Sequence, residues 1–145
     1  MILDAYAVLA FLKNEAAASE VEVLIAGGGT AMTAVGVAEV LDHLIRLGGA
    51  DEEDATLDLA QLDLDPPVVV DASLAGAAGR LRARSYHRTT CPVSLADCVA
   101  AEAARETGRS LATSDPALLD ICRREEIAVV VLPGTDGSRW TPPSR

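Results

Sequence analysis

The sequence predicts one α/β domain with a central parallel sheet of about five strands, flanked by helices on both faces. Three observations point there. Short aliphatic runs alternate with helix-patterned segments, and strands buried on both faces read as continuous apolar runs. Half of the residues are hydrophobic (50%) but only 3% are aromatic, so the core is built from Ala, Val, Leu and Ile. Cap residues, glycines and prolines fall between the segments, where helices start and stop. A chain of 145 residues is the size of one ordinary domain.

Residues 1–3 read as a short strand ending at Asp4. Helices follow over 5–13 and 19–26, the second opened by a Ser19/Glu22 capping box and stopped by Gly27-Gly28-Gly29. Residues 30–32 form a second strand, and Thr33 caps a helix running to about Leu47. Val37, Val40, Leu41, Leu44 and Ile45 recur along it at helical spacing. Gly48-Gly49 ends it. Residues 51–62 form the next helix, with four acids in the first turn, where the helix dipole favours them. Pro66-Pro67 breaks the chain before a third strand at 68–70, and Asp71 caps a helix to about Tyr86. Ser94 opens a helix to about Thr107, residues 110–113 form a fourth strand, and Asp115-Pro116 opens another helix. Residues 127–132 form a fifth strand. The domain thus spans 1–132, and residues 133–145, with three prolines and two glycines, read as an irregular C-terminal tail.

The formal charge is −10, with Lys13 as the single lysine. Such a surface repels nucleic acid at long range and attracts cations or a basic partner. A nucleic-acid role therefore needs bound metal and a local arginine patch. Cys91, Cys98 and Cys122 are odd in number and lack C-x-x-C spacing, which argues against a disulfide framework or a zinc site and for a reducing, cytoplasmic setting. The longest uncharged run, 23–38, is 16 residues and short for a membrane span. The N-terminus has no basic region and does not read as a signal peptide.

Ligands of open parallel sheets bind beyond the carboxyl ends of the strands. Asp4 stands at the end of the first strand, Asp115 two residues after the fourth, Glu39 two turns into the helix after the second, and Asp97 in the first turn of the helix from Ser94. Clustered carboxylates repel one another, and a hard divalent cation relieves that repulsion. Each acid also has a plainer reading. Asp4 and Asp115 are helix caps, Asp97 completes a capping box with Ser94, and Glu39 is a helix-surface position. The catalytic reading rests on their joint placement.

These residues sit in segments that resemble the PIN-domain ribonucleases, most closely the VapC toxins of toxin–antitoxin pairs. The matching pieces are M-I-L-D-A-Y-A-V-L-A-F-L (1–12), T-A-V-G-V-A-E-V (33–40), S-L-A-D-C-V-A-A-E-A-A (94–104) and L-A-T-S-D-P-A-L-L (111–119). The resemblance implies a PIN-like nuclease domain whose four acids are Asp4, Glu39, Asp97 and Asp115, with Thr113 as the hydroxyl that orients a carboxylate. It further implies Mg²⁺, or Mn²⁺, held mainly by Asp4 and Asp97, with Glu39 and Asp115 completing the site, and hydrolysis of RNA phosphodiesters. A basic antitoxin protein and a homodimer are the partners it implies; the apolar stretch 5–26 is where an antitoxin would dock.

Arg80, Arg84 and Arg88, four apart on one expected helix, form the densest basic patch and a candidate RNA contact. The plainer reading is a solvated face paired with acids. Cys98 reads as a core residue, His43 and His87 as structural or surface residues, and Trp140 as a packing anchor or partner contact. Three alternatives stand beside the toxin. One is a PIN-type nuclease acting on DNA, or in RNA processing, without an antitoxin. Another is a receiver-type Mg²⁺ domain, which lacks its expected lysine and paired acid here. The last is a non-catalytic module whose acids are only caps.

Overall fold

The computed structural model describes residues 1–144. Three parallel strands form its sheet, β1 (Ile2–Leu3), β2 (Leu111–Thr113) and β3 (Val129–Val131), in that spatial order. Ile2 pairs with Leu111, and Leu111 with Val129. Successive side chains of a strand leave on opposite faces. Ile2, Leu111 and Val129 accordingly enter one apolar cluster, and Leu3, Ala112 and Val130 the other. Helices α1 (Ala5–Leu12), α2 (Ala18–Ala26), α3 (Ala34–Asp42) and α4 (Glu52–Ala60) cover the second face. Helices α5 (Ala72–Ser85), α6 (Leu95–Thr107) and α7 (Pro116–Arg124) cover the first. A sheet buried on both sides explains why its strands carry no polar alternation.

The sheet has three strands rather than about five. The two missing ones survive as single parallel bridges, Ile2 to Ala31 and Thr33 to Val68. Their shortness has local causes. Residues 30–32 are squeezed between the Gly27–Gly29 turn and Thr33, which is already the cap of α3. On the far side, Pro66 and Pro67 have no N–H to donate, Val69 is 77% exposed, and Asp71 starts α5 directly.

Helix starts follow the caps closely. Asp4, Thr33, Asp51, Asp71, Ser94 and Asp115 each accept a backbone N–H of their own helix's first turn. The Ser19/Glu22 capping box does not form. Ala17 and Ala18 are buried, so α2 starts one residue earlier on an uncapped Ala17 and Ser19 falls inside it. The long helix expected after Thr33 is α-helical only to Asp42 and continues as a wider π-helical turn, His43–Leu47, before Gly48. At the end of α6, Gly108 takes φ +65°, a left-handed conformation that suits glycine.

Helix α5 ends at Ser85, which breaks the arginine stripe. Tyr86 turns extended, with the Arg82 guanidinium 4.3 Å from its ring centre, and His87 then bridges back to Cys91 in a tight hairpin. Arg88 lies in that hairpin and not on the helix.

The two kinds of stabilisation separate by substitution. Leu81 is fully buried, so Leu81→Ala should cost about 2–5 kcal/mol. Asp71→Ala removes only the cap bond to the Leu74 amide (2.9 Å) and should cost about 1 kcal/mol. Urea unfolding monitored by circular dichroism checks both; equal losses would refute the layered core described here.

Candidate active site

The three strands point their carboxyl ends at one edge of the sheet, and the N-termini of α1 and α7 open there. Asp4 follows β1 directly and is 5% exposed. Its Oδ1 accepts the Ala7 amide at 2.8 Å, which caps α1. Thr113, the last residue of β2, is 0% exposed. Its hydroxyl accepts the Asp115 amide at 3.0 Å and lies against the Asp4 carboxylate, whose pKa it lowers. Thr113 therefore links the ends of β1 and β2.

Asp115 caps α7 through Oδ1, which accepts the amides of Ala117 (2.7 Å) and Leu118 (3.0 Å). Asp97 is held by the capping box that the sequence suggests. Its Oδ2 accepts the Ser94 amide (3.0 Å) and the Ser94 hydroxyl (2.6 Å), while its own amide donates to Ser94 Oγ (3.0 Å). In all three aspartates the cap uses one carboxylate oxygen and leaves the other turned away from that duty. Capping and a role at the sheet edge are compatible.

The charges act on each other. Burial raises the Asp4 pKa to about 7; hydrogen bonds from Thr113 and Ala7 oppose this, and the negative charges of Asp97 and Asp115 add to it. Asp97 is also raised, first by burial and then by Asp115, against its bonds to Ser94. Glu39, on the exposed side of α3, is raised by partial burial and then by Asp97 and Asp42. Asp97 thus acts on both Asp4 and Glu39, and Asp115 on Asp4 and Asp97. The four acids far apart in sequence share one electrostatic neighbourhood.

All their donors are carboxylate oxygens, the ligand type of Mg²⁺ and Mn²⁺ rather than of softer metals. Among the described residues, no three His, Cys, Asp or Glu side chains are drawn together as a ready-made metal shell. A buried carboxyl pushed up to about 7 beside two negative neighbours is a group that a cation would stabilise.

The arginines are less united. Arg84 pairs with Glu125 (3.2 Å), which also holds Arg105 (2.6 Å), so Arg84 belongs to a surface ion network. Arg80 stays exposed on α5 and Arg88 on the hairpin. Cys98 is fully buried and its thiol is raised to about 12 by burial, in keeping with a core residue. The His87 ring nitrogen Nδ1 accepts the Thr90 amide (3.3 Å) and stabilises the hairpin. Two residues outside the sequence reading border the acids. Tyr6 feels the Asp4 charge, and Ser114 is its hydrogen-bonding neighbour. Their only sequence signal is adjacency to Asp4 and Asp115.

A model of the PIN domain family matches residues 1–124. Among solved structures, the chain is similar to FitAcB from Neisseria gonorrhoeae, with 19% identity and TM-score 0.62 over 88% of this chain and 94% of that one. It is likewise similar to VapBC2 from Rickettsia felis bound to a DNA fragment from their promoter, with 17% identity and TM-score 0.62 over 89% of this chain and 96% of that one. At these identities the likeness is one of fold. No curated protein matches the sequence. The family match runs from β1 through α7 and takes in Asp4, Glu39, Asp97 and Asp115, and on that extent the chain belongs to the PIN domain family.

Proposed function

We propose that the protein is a divalent-metal-dependent endoribonuclease that hydrolyses RNA phosphodiesters and acts as the toxin of a toxin–antitoxin pair. The observation that carries this reading is the buried Asp4, raised to about 7 beside the charges of Asp97 and Asp115. Family membership supports the nuclease chemistry, and the likeness to FitAcB and VapBC2 supports a paired antitoxin. In this reading the domain is 1–132, with 133–145 as its appended tail, and a homodimer is the working form.

Asp4 and Asp97 would hold Mg²⁺ or Mn²⁺, with Glu39 and Asp115 completing the site. The bound cation supplies Lewis-acid chemistry, offsetting charge that builds at the phosphodiester and acidifying water. The protein's own groups do the positioning. The Ala7 amide and the Thr113 hydroxyl orient Asp4, Ser94 clamps Asp97, and the Ala117 and Leu118 amides fix Asp115. The N-terminal ends of α1, α6 and α7 add partial positive charge near the acids. Arg80 and Arg88 are left to meet RNA phosphates, which an acidic chain otherwise repels.

Purified protein with Mg²⁺ or Mn²⁺ should cleave structured RNA in a gel assay. Asp4→Asn or Asp97→Asn should lower the rate at least about a hundredfold while the circular dichroism spectrum is kept, since asparagine still caps a helix. Full activity in either variant, or in excess EDTA, refutes the mechanism. DNA cut as readily as RNA would favour the PIN-type nuclease without an antitoxin.

Metal-free stability should depend on pH with a defined sign. The folded protein binds the Asp4 proton more tightly than the unfolded chain, whose ordinary value is 3.8. The Asp4 contribution is therefore greatest at or below about pH 4 and is lost as pH rises from there through about 7. In EDTA, Asp4→Asn should match the parent near pH 4 and exceed its Tm at pH 8. Parallel melting curves for the two proteins from pH 4 to 8 would contradict this.

A further inference from the structure

The chain contains one Trp, two Tyr and one Phe, and two of these four, Tyr6 and Trp140, line a single groove beside Asp115. The C-terminal tail builds that groove by folding back over the end of the sheet. Pro133 is buried, and its carbonyl accepts the Tyr6 hydroxyl at 2.9 Å. A tight turn follows, in which the Gly134 amide donates to the Ser138 carbonyl (2.8 Å) and Asp136 Oδ1 accepts the Ser138 amide (2.9 Å) and hydroxyl (2.6 Å). Arg139 then donates through Nη1 to the Val131 carbonyl (2.6 Å) of β3 and through Nη2 to Glu20 of α2. Trp140 arrives half-buried in the groove wall, which encloses about 440 Å³.

The chemistry of this wall selects its occupant. Asp115 and Asp136 are both acidic, and the one cation of the groove, Arg139, is already paired with Glu20. A phosphate is repelled there. A neutral, flat, aromatic group is not, and the hydroxyls of Ser114 and Ser138 with the two carboxylates offer partners to its amino and imino edges. Stacking on an aromatic side chain accepts any base. We infer that this groove, walled by Tyr6 and Trp140 and sharing Asp115 with the acid cluster, holds an unpaired nucleobase of the RNA strand next to the phosphate being cut. The inference rests on the ribonuclease reading and adds to it a place for the base.

Trp140 is the only tryptophan, so its emission reports on this groove alone. The experiment uses full-length Asp4→Asn protein, which leaves RNA uncut, and a random-sequence RNA decamer. Unlabelled decamer is followed by Trp140 emission, and fluorescein-labelled decamer by anisotropy. The expected result is quenching by half or more, saturating at the concentration where anisotropy saturates. Anisotropy that rises while the emission stays constant overturns the subsite, leaves the ribonuclease reading standing, and assigns the groove to a protein partner instead. No response in either signal removes RNA as the ligand and both readings with it. In the active protein, Trp140→Ala should raise KM about tenfold with kcat within about twofold, and Trp140→Phe should restore most of the loss. Trp140 lies outside every helix and strand, and circular dichroism checks that both variants keep the fold. An unchanged KM in Trp140→Ala overturns the proposal.

Discussion

The structure turns on holding like charges together. Three capping aspartates, Asp4, Asp97 and Asp115, act on one another electrostatically, and Asp4 is removed almost completely from water. Unrelieved, such a cluster destabilises the fold. The relief is built from backbone. Each of the three aspartates receives amide donors at the start of a helix, and the partial positive charge of the helix ends adds to them. What remains uncompensated shows as the raised pKa values of Asp4, Asp97 and Glu39.

Strand length serves the same end. β1 has two residues and β2 and β3 three, so each strand delivers its chain to the sheet edge almost at once. Such short strands survive because both of their faces are buried in aliphatic clusters. Thr113 shows the coupling of layer and site. Its backbone pairs with β3 while its fully buried hydroxyl joins Asp4 to the amide of Asp115. A shift of β2 by one residue would turn that hydroxyl to the opposite face and separate the two acids.

Local signals made much of this legible in the sequence. Caps are short-range devices, so Asp4, Thr33, Asp51, Asp71, Ser94 and Asp115 are readable as helix starts one residue at a time. Asp4 and Asp115 fall just past strand ends, and parallel topology brings those ends to one edge. Long-range competition hides the rest. Ser19 has the residues of a capping box and loses it because Ala17 and Ala18 are drawn into the core. Residues 30–32 and 68–70 are as aliphatic as the true strands, yet caps and prolines on either side cut each to one bridge. Arg88 keeps the helical spacing of Arg80 and Arg84 in sequence alone, since the hairpin after Tyr86 takes it off the helix.

The plain and the catalytic readings of an acid are usually set against each other, and here the capping geometry is compatible with both. A carboxylate has two oxygens. A cap that binds one of them fixes the direction of the other without adding a side chain to hold it. Asp115 accepts both amides on Oδ1, and Asp97 takes both Ser94 bonds on Oδ2. The helix start thereby does for each acid what a dedicated supporting residue does in other sites. It also explains how so small a domain, with an aliphatic core and few polar residues inside, can keep an acid as deeply buried as Asp4 in a single orientation. The orienting groups are backbone amides, and the fold has to place those in any case to begin its helices.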